Sequence, residues 1–595
     1  MVSSEEYTTV VTIIGAGASG VSAAKVLYDA GIDFIMVEAK DTVGGRFQDT
    51  QFAGYTIEEG ASWIHGPLHS DENEANNPLW DYKLKYGIEG NYTTYNNWKI
   101  SDANGKDVPQ AMAEKWWKRI ITGMEHCTVK GDELWEQAEE EDLDIFESID
   151  ISLDQCLRAY GYWNGTINNE TGTNSTLEES VAKLMEWTKV DFEFAELPSE
   201  VSTMWGLPLN GEFENRDYLV FDQRGYGIWM DEIITEFPER IKLSETVTSI
   251  DASQGDKVTI QSKSGMTIVS DYALCTLPLG VLQRGDVQFS PAFSKKRNRG
   301  INGMVMANYA KLHLQFKERF WGDEETILTA GVALVPNEFP WAINYDLPKY
   351  LPGSRILSFH VVDTQARKIE SQHIDITVAA ALEVLRKEYG SDIVSEVTAA
   401  HVTNWTNDPL FFGSYSDWPL GYTEEEHLSM IEPLNRLHFG GEHTTAEFFG
   451  YGHGAIESGL ENAELIIELI KNQTVTSRPN SKKSKKGKKK IAKALKSQKG
   501  IKVLKMKKHG KHNSSKTVKK SERKKKIAKR IKFQKEIKVL KMKNHGKHNS
   551  SKTVKKSKKR KKKIVKRFKF QKRIKLLTMK KYGKHYSSKA AKKSN

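Results

Sequence analysis

No disulfide framework can be built into this chain, because three cysteines, Cys127, Cys156 and Cys275, serve 595 residues. Unpaired core thiols are the expectation, with a single bridge left open. No apolar run is long enough to cross a bilayer as a helix. Met1 to Thr9 lacks the basic start and apolar stretch of a secretory signal, which favours a cytoplasmic or nuclear protein. Asn-X-Ser/Thr acceptors at Asn91, Asn164, Asn169, Asn174, Asn404, Asn472, Asn513 and Asn549 nevertheless leave secretion open. Tryptophan is absent beyond Trp418, and acidic residues are nearly absent beyond residue 480.

That last scarcity divides the molecule. Residues 481–595 hold 51 Lys+Arg against 2 Asp+Glu, which leaves 37 basic and 75 acidic residues before them. The net charge of +11 is therefore −38 in the body and +49 in the tail. All 14 Trp lie in the body, so the core is there. The tail is a threefold repeat whose equivalent positions Ile491, Ile527 and Ile564 are 36 and 37 residues apart. Its units are too charged to bury a stacked core, so a disordered polycation suited to nucleic acid or another polyanion is expected. The repeated histidines (His509/His512, His545/His548, His585) have no fixed geometry around them, and no metal site is expected. In the body, Asp71, Glu72, Glu74 and Glu139–Glu141 can attract a cationic small molecule.

The body opens on a nucleotide-binding pattern. Thr9–Ile14 reads as a buried parallel strand, Val21–Ala30 as a helix and Asp33–Glu38 as a second strand. Between the first two lie Gly15, Gly17 and Gly20 in the spacing GxGxxG. That spacing combines a tight turn, close approach to a pyrophosphate and tight helix–strand contact, with a helix N-terminus behind it. Glu38 ends the second strand, 18 residues beyond Gly20, where a carboxylate can take ribose hydroxyls. Gly44-Gly45-Arg46 follows, and an arginine there can pair with diphosphate oxygens, which points to FAD. Helical acidic segments such as Asp132–Asp150 and loop material at 161–176 come next. Strand-like segments return at Arg240–Ile250, Asp256–Gln261, Tyr272–Thr276 and Tyr309–Phe316. A helix is predicted over Asp375–Tyr389. Leu437–Gly441 then leads into a helix at about 454–470. The fold class expected is α/β. It comprises a discontinuous Rossmann-like FAD-binding domain (8–92, 216–305 and 402–472), an α+β substrate-binding domain (93–215 and 306–401) and the basic tail (473–595).

Blocks in order, including GAGASG, VEAKDTVGGR, EEGASWIHGP, DQRGYGIWMDEI, TLPLGVLQ, NYAKLHLQF, FFGSYSDWPLG and FGGEHTTAEFFGYGHGAIESGLENAE, resemble the flavin-containing amine oxidases. Within that family the chain looks most like the polyamine oxidases, over about residues 8–472. The tail has no counterpart. The resemblance implies that Glu38 and Arg46 contact ribose and diphosphate, that the Val247 backbone meets adenine, and that Glu442 lies on the ribityl–pyrophosphate stretch. It assigns Lys311 to a water near flavin N5, Tyr415 and Tyr451 to an aromatic pair flanking the amine, and His65 to the substrate tunnel. Lys311 stands out independently as a cation amid Tyr309, Leu312 and Leu314, where burial is costly unless its pKa falls.

The implied reaction takes hydride from the carbon beside an amine nitrogen of a spermine- or spermidine-type substrate to FAD. Imine hydrolysis to an aldehyde and a shorter amine follows, and O2 is reduced to hydrogen peroxide. Ser414 stands where monoamine oxidases carry a flavin-linked cysteine, so non-covalent FAD is expected. The alternatives are an L-amino-acid oxidase, a monoamine oxidase, a histone-lysine demethylase (whose long helical insertion the body lacks) and a protein acting mainly through polyanion binding by its tail. Oligomeric state is not legible.

Overall fold

The computed structural model describes residues 5–68, 76–94, 97–140, 150–162, 176–205, 216–332 and 336–476. The basic repeats, the sequons at Asn164, Asn169, Asn174, Asn513 and Asn549, and the acidic Asp71, Glu72, Glu74 and Glu141 lie outside them.

The opening unit forms because its apolar residues are β-branched first and helix-compatible next. β1 (Glu6–Ile14) buries Val11, Ile13 and Ile14, α1 (Ala18–Asp29) packs Val21, Ala23, Ala24 and Leu27 onto the sheet, and β2 (Phe34–Val37) lies parallel to β1. These strands belong to an eight-stranded sheet. Beside β1 runs Thr267–Cys275, also parallel. The first half of that strand pairs antiparallel with Val258–Ser262, and its last three residues pair parallel with Leu437–Phe439. A segment from near the end of the body thus returns beside β1, which places Glu442 close to the glycine loop.

A second sheet of six strands runs in the order Val397–Val402, Tyr309–Phe316, Ile356–Val362, Trp341–Asn344, Thr326–Thr329, Trp98–Ser101. The strand carrying Lys311 is second in that order and is covered on both sides by neighbours, so its residues are almost all buried. The expected strand Arg240–Ile250 is broken into Ile241–Lys242 and Val247–Asp251, because Ser244 between them takes a positive φ of 59°. The expected acidic helix begins earlier, at Gln110, and is helical through Glu140; the rest of the expected span, 141–149, lies outside the described residues.

One cysteine expectation is overturned. Cys127, on the helix Gln110–Glu140, is bonded to Cys156 on the helix Leu153–Tyr160, whereas Cys275 is free and buried. The shorter helix is placed by a reciprocal Ser152/Gln155 cap and ends at Gly161 in the left-handed region. Both ends being fixed, Cys156 faces the long helix. Cross-linking residues 29 apart restricts the unfolded chain. On the chain-entropy account, Cys127→Ser is expected to lower stability by about 3 kcal/mol. Denaturant melts with and without reductant check this, and coincident curves would contradict it.

Candidate active site

Two glycine loops are set back to back at the C-terminal ends of β1 and β2. Gly15 has φ 98°, and a Cβ on Gly20 would lie 2.0 Å from the Gly15 carbonyl oxygen, so neither position accepts a side chain. Gly44 donates its N–H to Ala16 O at 3.0 Å, which lays the Gly44-Gly45 turn against Gly17. At Gly17 only backbone lies near, at 3.8 Å and beyond, so room remains on its outer side. α1 begins there with no side-chain cap and no acid in its first turn, leaving its N–H groups for an anion.

Glu38 closes one side of this cradle. Its carboxylate accepts from Ala16 N–H (2.7 Å) and Lys40 N–H (2.9 Å). Burial outweighs these bonds and holds its pKa above the ordinary carboxylate value. The Glu245 N–H donates to Glu38 O at 2.8 Å, which brings the start of the strand Val247–Asp251 alongside. On the other side, Arg46 Nη1 donates to Glu442 Oε1 (2.9 Å) and to Ser414 O (3.0 Å). Glu442 also accepts from the Ser416 hydroxyl and from Gly450 N–H (2.7 Å). Burial alone would raise the Glu442 pKa; Arg46 and these donors hold it below the usual value.

Lys311 is 2% exposed. Its Nζ donates to Glu58 O (2.8 Å), Gly60 O (2.7 Å) and Ser62 Oγ (2.6 Å). The same loop is tied to the cofactor side, since Ala61 N–H donates to Arg46 O at 3.0 Å. Desolvation lowers the lysine to about 7, and the neighbouring Glu58 and Glu59 charges oppose that fall. Glu58, buried with one carboxylate oxygen unbonded among the described residues, is displaced upward by the same burial.

The two tyrosines converge on a residue that sequence reasoning did not select. Tyr415 Oη donates to Glu193 O at 3.3 Å, and Tyr451 Oη donates to the Glu193 carboxylate at 3.0 Å. Glu193 sits on the short helix Asp191–Phe194. His65 lies edge-on to Tyr451, with ring centres 5.2 Å apart, and its Nδ1 is 3.1 Å from Asp217 Oδ1. Burial would lower the His65 pKa, but the Asp217 charge and hydrogen bond raise it above the ordinary value. The adjoining wall is aromatic: Trp63, Phe192, Tyr309, Trp341 and His360 contact one another, with Tyr309 Oη 2.7 Å from His360 Nδ1. Burial keeps His360 neutral, so this wall offers ring faces without a competing cation.

The site therefore combines a glycine-loop dinucleotide cradle, a buried lysine and an aromatic cluster that holds the acids Glu193 and Asp217. The model of the flavin containing amine oxidoreductases matches residues 18–467. The chain belongs to that family. A polyamine oxidase 1 of Zea mays is 31% identical over 479 residues, covering 77% of this chain and 90% of the relative. Polyamine oxidase 6 of Oryza sativa subsp. japonica is 29% identical with the same coverage. A solved structure of a putrescine oxidase double mutant superposes with TM-score 0.59 at 17% identity, covering 78% of this chain and all of that one. It shares the amine oxidase fold.

The protein is therefore an amine oxidase that uses FAD, and the cradle fits that group. The room beside Gly17, the uncapped α1 and the Arg46–Glu442 pair suit a pyrophosphate, while Glu38 can take ribose hydroxyls. The Lys311 amine turns to the Glu58–Ser62 loop, where its three side-chain hydrogen bonds among the described residues are made. The residues that sequence reasoning missed, Glu193, Asp217 and Glu58, are acids in ordinary-looking surroundings. Only Glu58, two residues past Thr56 in the run that becomes EEGASW, stood in a block already singled out.

Proposed function

We propose that this protein is a polyamine oxidase, with Lys311, His65, Tyr415 and Tyr451 around the reacting amine and Gly15, Gly17, Gly20, Glu38, Arg46, Val247 and Glu442 holding FAD non-covalently. The observation that carries the reading is the convergence of Tyr415 and Tyr451 on Glu193, Tyr451 donating to its carboxylate and Tyr415 to its backbone carbonyl, which sets one carboxylate beside two aromatic residues. A cationic chain is favoured there by ring quadrupoles and by the carboxylate together. When bound, FAD would supply the two-electron acceptor for the amine and a route for those electrons to O2. The protein's part is to desolvate the reacting nitrogen, so that it sheds its proton, while the substrate's other ammonium groups stay charged. Protonated His65 is offset by Asp217, so it adds little net repulsion. Neutral Lys311 keeps two N–H groups for Glu58 O and Gly60 O and exchanges its bond to Ser62 Oγ for a water, from which its lone pair takes a proton in support of imine hydrolysis or flavin reoxidation.

The names of the plant relatives point the same way. The two sheets support dividing the body into a flavin-binding part (8–92, 216–305 and 402–472) and a substrate part (93–215 and 306–401). The Cys127–Cys156 bridge favours an oxidising compartment over the cytoplasm or nucleus. The tail, with its excess of 49 positive charges, would bind polyanions in a salt-sensitive way. Removing residues after 480 is expected to leave turnover intact and to abolish retention on heparin; loss of turnover would make the tail part of the enzyme.

A peroxide-release assay with product identification tests the substrate class. Spermine, spermidine, their N1-acetyl forms, a monoamine and L-lysine form the panel. Turnover of the polyamines at least ten times more efficient than of the monoamine and L-lysine is expected. A best response to either of those two would replace this reading.

A further inference from the structure

Side chains alternate along the strand Tyr415–Asp417. Ser416 points to the cofactor side, where its hydroxyl bonds Glu442, so Tyr415 and Asp417 project to the opposite face. Tyr415 reaches Glu193 there. Asp417 is 2% exposed, and its Oδ2 has no hydrogen-bond partner among the described residues. Glu196, 8% exposed, is near enough for the charges of Asp417 and Glu200 to act on it. The placement of Glu196 follows from the backbone. Ala195, at φ 53°, ends the helix that carries Glu193 and turns the chain. Leu420 N–H then donates to Glu200 O at 2.7 Å, and Val201 bridges to Pro419, which clamps 196–201 against the residues following Asp417.

Among the described residues, neither Glu196 nor Asp417 forms an ion pair. Burial pushes Asp417 up to about 7; burial, Glu200 and Asp417 push Glu196 further in the same direction. Both carboxyls act on the Tyr415 hydroxyl together with Glu193. Buried carboxyls without a cation are an unfavourable arrangement, and a positive charge brought between them relieves it.

We propose that Glu196 and Asp417 form the subsite for the distal ammonium of the substrate, the alkyl chain running past Tyr415 from the reacting amine. This inference rests on the polyamine reading and narrows it. The site selects a chain with a second positive charge, and it reads that charge on the Tyr415 side of the chamber rather than at the His65 side.

The test uses Asp417→Asn and Glu196→Gln as flavin-loaded full-length enzymes, checked for unchanged flavin spectrum and Tm. Glu424→Gln, at a buried carboxyl on the following helix, is the matched control. Probes are 1,8-diaminooctane and octylamine. Each subsite variant is expected to raise KM for the diamine about tenfold or more, with kcat changed less than threefold and octylamine efficiency changed less than twofold. Asp417→Glu should restore part of the loss. Equal losses for diamine and monoamine, or none for either, would overturn the subsite. If the wild-type enzyme itself fails to prefer the diamine, the polyamine reading fails; if it prefers the diamine and both variants keep that preference, only the subsite fails.

Discussion

Lys311→Met is expected to lower kcat by on the order of 10²- to 10⁴-fold with flavin still bound, the range associated with loss of a positioned acid–base group. Methionine matches the stem of lysine in length and apolarity, so the strand Tyr309–Phe316 keeps its core contacts. What disappears is the Nζ that bonds Glu58 O, Gly60 O and Ser62 Oγ. Orphaning those acceptors costs about 1–3 kcal/mol each at most, offset by no longer burying an ionisable amine. Tm should therefore move little compared with kcat. The pH profile separates this role from a purely structural one. Desolvation lowers Lys311 to about 7, so the fraction of neutral amine grows as pH rises through that value. A lysine acting as base gives a rate that climbs through pH 7 and a limb that vanishes in Lys311→Met. Lys311→Arg, which stays charged, should fail as the methionine variant does. A kcat within about threefold of wild type, or an unchanged limb, would remove Lys311 from the chemistry.

Gly20→Ala is expected to produce protein with less than a tenth of the wild-type flavin content. The new Cβ would sit 2.0 Å from the Gly15 carbonyl oxygen and 3.1 Å from its carbon. That neighbour is backbone in the turn that faces the pyrophosphate, so the strain cannot be passed to a flexible side chain. Relief requires α1 to move off β1, which opens the cradle and loosens Val21, Ala24 and Leu27 from the core. About 3 kcal/mol of destabilisation follows from overpacking, and the loss of bound FAD removes further stabilisation by linkage. Flavin absorbance per protein and Tm read both effects. A flavin-replete variant with wild-type Tm would contradict the cradle.

The nucleotide half was legible because its information is local. A strand, three glycines, a helix and a terminal acid fall within residues 9–38, and each constrains the next through short-range sterics. Lys311 was legible because a cation in an apolar strand is conspicuous. Glu193 was not, because its meaning comes from Tyr415 and Tyr451, more than 200 positions away along the chain. Asp217 acquires its role in the same way, by lying opposite His65 in an antiparallel pair. The disulfide was missed for a related reason: three cysteines allow three pairings, and only the caps on the helix Leu153–Tyr160 aim Cys156 at Cys127. The break at Ser244 came from a backbone conformation that β-branched neighbours gave no hint of.

The most direct test is an anaerobic single turnover of the flavin-loaded enzyme. Oxidised protein is mixed with excess spermidine, octylamine or L-lysine, and flavin absorbance is followed. Rapid, complete bleaching by spermidine, at least tenfold slower bleaching by the other two, and a large loss of the spermidine rate in Tyr451→Phe combined with Glu193→Gln are predicted. No bleaching by spermidine, or a rate indifferent to Glu193 and Tyr451, would contradict an amine site built on that acid and its two tyrosines.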